Sequence, residues 1–410
     1  MRKLLVLNVA ALGYDLLKDH GVTRLAGLPL QPLTTVFPAV TCTAQATLRT
    51  ASAPEMHQMT ANGVFLSETR QVLFWNQSAK LVKGKRIWED FRAQGGRVGM
   101  YFFQQSLGES VDEIVSPAPI HTHGGGLIMA TYTQPPALLK DANPAQLWRY
   151  WGPLASPKVG RGIVHALSER IMRGDAPELL FVYLPTLDYD LQRYGTPHRK
   201  IPANVREVVT QIEQLAEVAQ QQGYELFICG DYAITDTPGT VIYPNRLLRK
   251  LQLFQTRAIR GMLYPDFYRS AAFTLCDHQV AYLHLLDESV RETALQALSH
   301  LQGIVSITPT QDAHVYCLTA EPGYWFAYPW WENPREAPDY ATHVDIHNKP
   351  GFDPCELFFG KTPFTCSTQA ERIRGTHGRI DHPVACATTL NLPMTTLQEA
   401  AAQIQTWLSC

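Results

Sequence analysis

The sequence predicts an α/β fold, a sheet joined by crossover helices. Short apolar runs alternate with segments of helical spacing along most of the chain. Three acidic or amide residues, Asn8, Asp188 and Asp231, are expected just past the C-terminal ends of such runs. The carboxyl edge of an open α/β sheet is where ligands bind, so these three residues mark a candidate site.

Leu4-Leu5-Val6-Leu7 reads as a buried first strand. Arg2-Lys3 before it imitates the start of a signal peptide. The apolar run breaks at Asn8, however, and Gly13-Tyr14-Asp15 makes a poor cleavage site. The strand reading implies a cytoplasmic protein. The cysteines agree: eight in 410 residues, with no C-x-x-C pair, form neither a disulfide framework nor a zinc ribbon. Thr41 to Thr50 reads as a helix introduced by Phe37-Pro38, and Arg97 to Phe103 as a second strand. Leu179 to Leu184 is a third strand, stopped by Pro185. Asn204 to Gln222 is a helix, because Val205, Val208, Ile212, Leu215 and Val218 recur at three- and four-residue spacing. Asn204 is its expected N-cap and Gly223 its stop. Glu225 to Cys229 is a fourth strand.

Residues 247–344 have a different pattern. Ala272 to Leu275, Val280 to Leu285 and Val315 to Leu318 are strand-like, and Glu288 to Leu301 is helical. This block is expected to be an inserted, smaller α+β cap. Residues 1–246 and 345–410 would form the core, with the chain returning to the main sheet from Val344.

Composition narrows the function classes. Lys+Arg number 35 against 37 Asp+Glu, a net charge of −2, which excludes a strongly basic binder of nucleic acid polymers. With 45% hydrophobic and 18% charged residues the chain buries a large core and is not disordered. No apolar run reaches the ~18 residues that span a bilayer.

Several side chains carry chemistry with more than one reading. Thr41 lies at a helix start, where exposed N–H groups favour an anion. It is either an N-cap or a nucleophile awaiting activation. Cys42, next to it, is either a reactive thiol or a small buried side chain. His121-Thr122-His123 has chelating i, i+2 spacing but precedes Gly124-Gly125-Gly126, so a loop is the alternative. His347 in Asp345-Ile346-His347 either completes a metal site or orders a polar turn. Asp277-His278 reads as a hydrogen-bonded pair at the cap junction. Phe65, Phe74 and Trp75 are either core or substrate contacts.

The spacing of several motifs resembles the nucleotide pyrophosphatase/phosphodiesterase branch of the alkaline phosphatase superfamily. Thr41, Thr50, Pro54, His57 and Asn62-Gly63 follow that family's nucleophile segment in order. Leu184-Pro185 leading to Asp188, with Gly195, resembles its Asp-x-x-x-His-x-x-Gly motif. Cys229-Gly230-Asp231-Tyr232 resembles its Ser-Asp-His-Gly, and Gly375-Thr376-His377-Gly378 its late His-Gly. The likeness covers residues 4–240 and 340–395.

The resemblance implies an alkaline-phosphatase-like three-layer sandwich around a mainly parallel central sheet. It implies Thr41 as nucleophile, through a phospho-threonine, and Asn62 as a donor to a phosphoryl oxygen. Asp188 and His377 would hold one divalent cation, and Asp231 with Thr41 a second. Three family ligands are changed here, to Asn8, Gln192 and Tyr232. Amides offer a carbonyl oxygen without charge, and a phenol binds a metal well only as phenolate. One or two ions of Zn, Mn or Mg therefore stay open, with harder cations favoured over zinc. The expected function is metal-dependent hydrolysis of phosphodiester or pyrophosphate bonds in a phosphorylated small molecule. The alternatives are a catalytically silent relative that binds a phosphorylated metabolite, and a phosphotransferase.

Overall fold

The computed structural model describes residues 2–122, 127–136, 138–139, 149–150 and 152–409. Its central sheet is built from β1 (Leu4–Val9), β2 (Gln31–Leu33), β3 (Val98–Tyr101), β4 (Glu113–Pro117), β5 (Thr131–Gln134), β6 (Leu179–Leu184) and β7 (Glu225–Gly230). A second, four-stranded sheet comprises β8 (Ala272–Asp277), β9 (Val280–Leu285), β10 (Ile304–Pro309) and β11 (Val315–Ala320). The last strand, β12 (Val384–Thr388), returns to the central sheet.

The order in the central sheet is β5-β4-β3-β6-β1-β7-β12-β2. The five strands from β4 to β7 run parallel. β5 joins antiparallel at one edge, and β12 lies antiparallel between β7 and β2. All six residues of β1 and of β6 are buried, so both faces of the sheet are covered, as their largely apolar composition demands. Helix α1 (Thr41–Thr50) packs with the C-terminal helix Leu397–Ser409. Helices α2 (Val159–Met172) and α4 (Ile201–Gln221) pack on each other. Between them in sequence lies the short α3 (Asp188–Tyr194).

Register fixes the site. Asn8 pairs with Tyr183 on one side and Cys229 on the other, and β1, β6 and β7 end level at Val9, Leu184 and Gly230. Asp188 and Asp231 therefore leave the sheet at the same edge. Asn8 itself is not past the strand end but inside it, one residue before β1 stops.

Other boundaries also differ from the sequence reading. α4 begins at Ile201, with Pro202 in its first turn, rather than at an Asn204 cap. Pro fits there because its missing N–H has no intrahelical partner in the first turn. The segment Glu288–Leu301 splits into a 3₁₀ turn, Glu288–Val290, and a helix, Arg291–Ser299. After Val344 the chain makes 3₁₀ turns, isolated bridges and the two-residue strand Gly375–Thr376 before β12 rejoins the sheet.

The second sheet has its own apolar core, which also takes in Ala61 and Phe74. Phe65 sits edge-on to Phe273 at 4.7 Å and packs against this core, so of the three aromatic residues in doubt Phe65 and the buried Phe74 are core. No described helix is long and apolar enough to cross a membrane.

Candidate active site

A cavity of about 600 Å³ opens at the carboxyl edge of the parallel strands. Thr41, Asn62, Asp188, Gln192, Tyr232 and His377 all line it. His347, Phe74 and Trp75 form part of the same wall. Asn8 and Asp231 are fully buried and do not line it.

Thr41 is the first residue of α1, a helix buried from Thr41 through Arg49 despite its polar composition. Several of its polar side chains are tied down at the site's back wall, while Thr43 Oγ1 is buried without a hydrogen-bond partner. Gln45 Nε2 donates to Asn8 Oδ1 at 3.3 Å, Gln45 Oε1 accepts from the Gln104 N–H at 2.7 Å, and Arg49 donates to the Gln105 carbonyl at 2.8 Å. Most buried polar groups are satisfied in this way. Val40, at the N-cap position, contributes no side-chain cap. Asn62 takes that role: its Oδ1 accepts from the Cys42 N–H at 3.1 Å. The Thr41 hydroxyl lies 3.4 Å from that of Tyr183. Burial pushes the Tyr183 phenol well above its ordinary pKa, so it remains protonated. Cys42 is also buried, its thiol pushed up to about 12 by desolvation, which makes it inert rather than nucleophilic.

Asp188 opens α3 and faces the cavity. Gln192 Nε2 lies 2.7 Å from each of its oxygens, and the Tyr232 hydroxyl donates to Oδ1 at 2.8 Å. Desolvation raises the Asp188 pKa, opposed by these two donors, and raises that of Tyr232 well above the phenol range. Tyr232 thus donates to Asp188 as a neutral phenol. Asp231 Oδ1 accepts from the Ala11 and Tyr232 N–H groups at 3.1 and 2.9 Å. Its Oδ2 is buried without a partner, and burial raises its pKa strongly.

His377 Nδ1 lies 2.8 Å from the Ala39 carbonyl. A carbonyl only accepts, so Nδ1 carries the proton. Desolvation pushes the ring's pKa down to about 3, so it is neutral and Nε2 keeps a lone pair. The ring stacks on Tyr232 at 3.5 Å and lies tilted against His278 at 3.6 Å, and His278 stacks on Phe352 at 3.9 Å. His347 Nδ1 donates to the Phe74 carbonyl at 3.2 Å.

These donors do not fit a two-cation clamp. Among the described residues no three of His, Cys, Asp and Glu converge to hold a metal. Of the expected second set, Asn8 is spent on Gln45 and Cys229, and Asp231 stands off the cavity. They do fit one cation. Gln192 Oε1 is buried with no partner, His377 presents a free Nε2 fixed by a backbone carbonyl, and Asp188 has no cationic partner among the described residues.

The remaining charge on the wall is acidic. Asp188, Asp345, Asp353 and Glu356 line it with one lysine, Lys349, whose Nζ is locked at 2.7 Å from both Asp353 and Glu356.

The chain matches the family model "Type I phosphodiesterase / nucleotide pyrophosphatase" over residues 4–353. It belongs to that family. No curated protein matches it. Among solved structures, murine ectonucleotide pyrophosphatase/phosphodiesterase 5, in an inactive form in complex with AMP, has a TM-score of 0.61 at 14% identity, covering 100% of this chain and 95% of that one. Phosphonoacetate hydrolase from Sinorhizobium meliloti 1021, in complex with phosphonoformate, has a TM-score of 0.62 at 13% identity, covering 100% and 96%. The human ectonucleotide pyrophosphatase/phosphodiesterase 5 gives 0.59 at 12%, covering 99% and 95%. At these identities the likeness establishes the fold, which is alkaline-phosphatase-like. Membership places this phosphodiesterase-family chain among hydrolases of phosphoesters.

The roles of three residues of this family member's site escaped the sequence reading. Tyr183 was hidden in the apolar run Leu179–Leu184, although a tyrosine near the carboxyl end of a buried strand is a usable signal. Asp277 and His278 were read as a bonded pair, whereas Asp277 gives both oxygens to Asn62 and His278 joins the ring stack. Of the His121-Thr122-His123 motif, His123 and the side chain of His121 lie outside the described residues.

Proposed function

We propose that this protein hydrolyses phosphodiester or pyrophosphate bonds of a phosphorylated small molecule, with Thr41 as nucleophile. The observation that carries the reading is the convergence of Thr41, Asn62, Asp188 and His377 on one cavity at the sheet edge. The Thr41 hydroxyl gives its proton to solvent water as its oxygen attacks phosphorus, the ester P–O bond breaks and the leaving oxygen takes a proton from water, and a second water then cleaves the phospho-threonine P–O bond. Tyr183, held as a phenol, donates toward the Thr41 oxygen as charge develops there. Asn62 spends one Nδ2 hydrogen on Asp277 and has a second for a phosphoryl oxygen. Asp188, Gln192 Oε1 and His377 Nε2 would hold a single divalent cation, Mg, Mn or Zn, which supplies Lewis-acid neutralisation of phosphoryl charge. The acidic wall disfavours a dianionic monoester relative to a singly charged diester. AMP and phosphonoformate, bound by the two structural neighbours, indicate the size and charge of suitable probes.

The test is hydrolysis of bis(p-nitrophenyl) phosphate against p-nitrophenyl phosphate, with Mg²⁺, Mn²⁺ or Zn²⁺ added in turn. The diester should be cleaved faster, Mn²⁺ or Mg²⁺ should serve at least as well as Zn²⁺, and Thr41→Ala should abolish turnover. A second reading, a silent relative that binds a phosphorylated metabolite, is favoured by the two neutral donors already seated on Asp188. Inertness toward both esters under every metal, with thermal stabilisation by AMP, would select that reading. Inertness toward water with phosphate trapped on Thr41 would select a phosphotransferase.

A further inference from the structure

The turn that closes the hairpin β8–β9 reaches from the second sheet into the cavity. Asp277, the last residue of β8, is fully buried. Its Oδ2 accepts from the Asn62 backbone N–H at 2.7 Å and its Oδ1 from Asn62 Nδ2 at 3.1 Å. The partners are 215 residues apart in sequence. Beyond Asp277, the Gln279 N–H donates to the His377 carbonyl at 2.8 Å. The turn sits so close to Gly378 that a Cβ there would lie 3.1 Å from Gln279 N, at a φ of +126° that only glycine adopts freely.

We infer that Asp277 is a positioning residue that fixes which way the Asn62 amide faces, and so where its donor points. The inference rests on the hydrolase reading for its consequence in catalysis, but not for its geometry. An amide has two ends of opposite character. Asn62 Oδ1 meets a donor, the Cys42 N–H, and Nδ2 meets an acceptor, Asp277. A flipped amide would set Nδ2 against the Cys42 N–H and Oδ1 against a carboxylate, losing both bonds. Asp277 thus anchors one Nδ2 hydrogen and leaves the other for a phosphoryl oxygen beside Thr41. Because the bond crosses from the second sheet to the segment after α1, the placement of that sheet sets the donor's aim.

The experiment is a double-mutant cycle on kcat/KM for bis(p-nitrophenyl) phosphate with Asn62→Ala, Asp277→Asn and the double variant. Each single change should lower kcat/KM at least tenfold, and the double should fall no more than threefold below Asn62→Ala. Multiplying effects would mean that Asp277 acts independently of Asn62 and would overturn the inference. A second measurement needs neither activity nor a folded variant. In wild-type protein carrying ¹⁵N-asparagine, one Asn62 side-chain hydrogen should exchange with solvent at least tenfold more slowly than the other. Equal, fast exchange of both would also refute the proposal. A wild type that cleaves no ester defeats the hydrolase reading alone, and the exchange measurement then decides the positioning role.

Discussion

Lys349 is buried in the cavity wall with Asp353 and Glu356 each 2.7 Å from its Nζ, and the two carboxylates raise its pKa against desolvation. Lys349→Met keeps the length of the stem but leaves two buried carboxylates uncompensated. Breaking a buried pair by removing one partner costs about 3–5 kcal/mol. An unfolding entropy of about 2.1 cal/mol/K per residue gives roughly 0.9 kcal/mol/K for this chain, so the loss corresponds to a fall in Tm of about 3–6 °C. The pH dependence follows from the same account. Desolvation already holds the Glu356 pKa above its ordinary value, and loss of the Lys349 cation, which opposes that shift, raises it further. The variant should therefore approach wild-type stability near the unfolded carboxylate pKa of about 4 and lose it as pH rises toward neutrality. Differential scanning calorimetry of both proteins from pH 5 to pH 8 measures this directly. Adding Asp353→Asn and Glu356→Gln to Lys349→Met should recover at least half of the loss. A fall in Tm below 1 °C at pH 8, or one that stays constant down to pH 5, would refute the reasoning.

Burial pushes the Asp277 carboxyl up to about 7 from 3.8, so the folded state binds that proton more tightly than the unfolded state. The carboxyl's contribution to stability therefore declines as pH rises from about 4 to about 7, at up to about 1.4 kcal/mol per unit, and chemical denaturation of wild type against Asp277→Asn should show the difference. Gly160→Ala would place a Cβ 1.9 Å from Gln211 Oε1 and 2.5 Å from Thr186 Oγ1, where α2 packs on α4. The displaced Gln211 amide should cost at least about 2 kcal/mol by denaturant titration. Gln192→His with Tyr232→His should raise zinc affinity at least tenfold by calorimetry, because imidazole replaces two neutral donors beside Asp188.

The strands of the central sheet were legible because their sequences leave no alternative. Leu179–Leu184 and Leu4–Val9 are apolar enough to be covered on both faces, and register then forces their ends to one edge. The convergence of Thr41, Asp188 and His377 was legible only through motif order, since nothing local says that residue 377 lies near residue 41. What stayed hidden depends on long-range partners. Lys349-Pro350-Gly351-Phe352-Asp353 reads as a polar turn, yet Lys349 is 2% exposed, with Glu356 folded back onto it. Asp277 beside His278 suggests a local bond, but a tight turn sends adjacent side chains to different neighbours, with His278 at a φ of +59°. The Asn204 cap was overridden by tertiary packing that begins the helix a turn earlier.

The placement of β12 has a consequence for how the chain becomes a protein. β2, formed by residues 31–33, has β12 as its neighbour in the sheet, and β12 begins at Val384. A ribosome thus delivers β2 long before its partner, and β7 also waits with a bare edge until β12 arrives. Local helices such as α4 can form during synthesis, but closure of this side of the sheet must await nearly the whole chain. Nascent chains stalled before Val384 should remain protease-sensitive at residues 24–36, and release of the full chain should protect them. His377 enters the cavity within the same late stretch, so the ring stack is completed only when the sheet is.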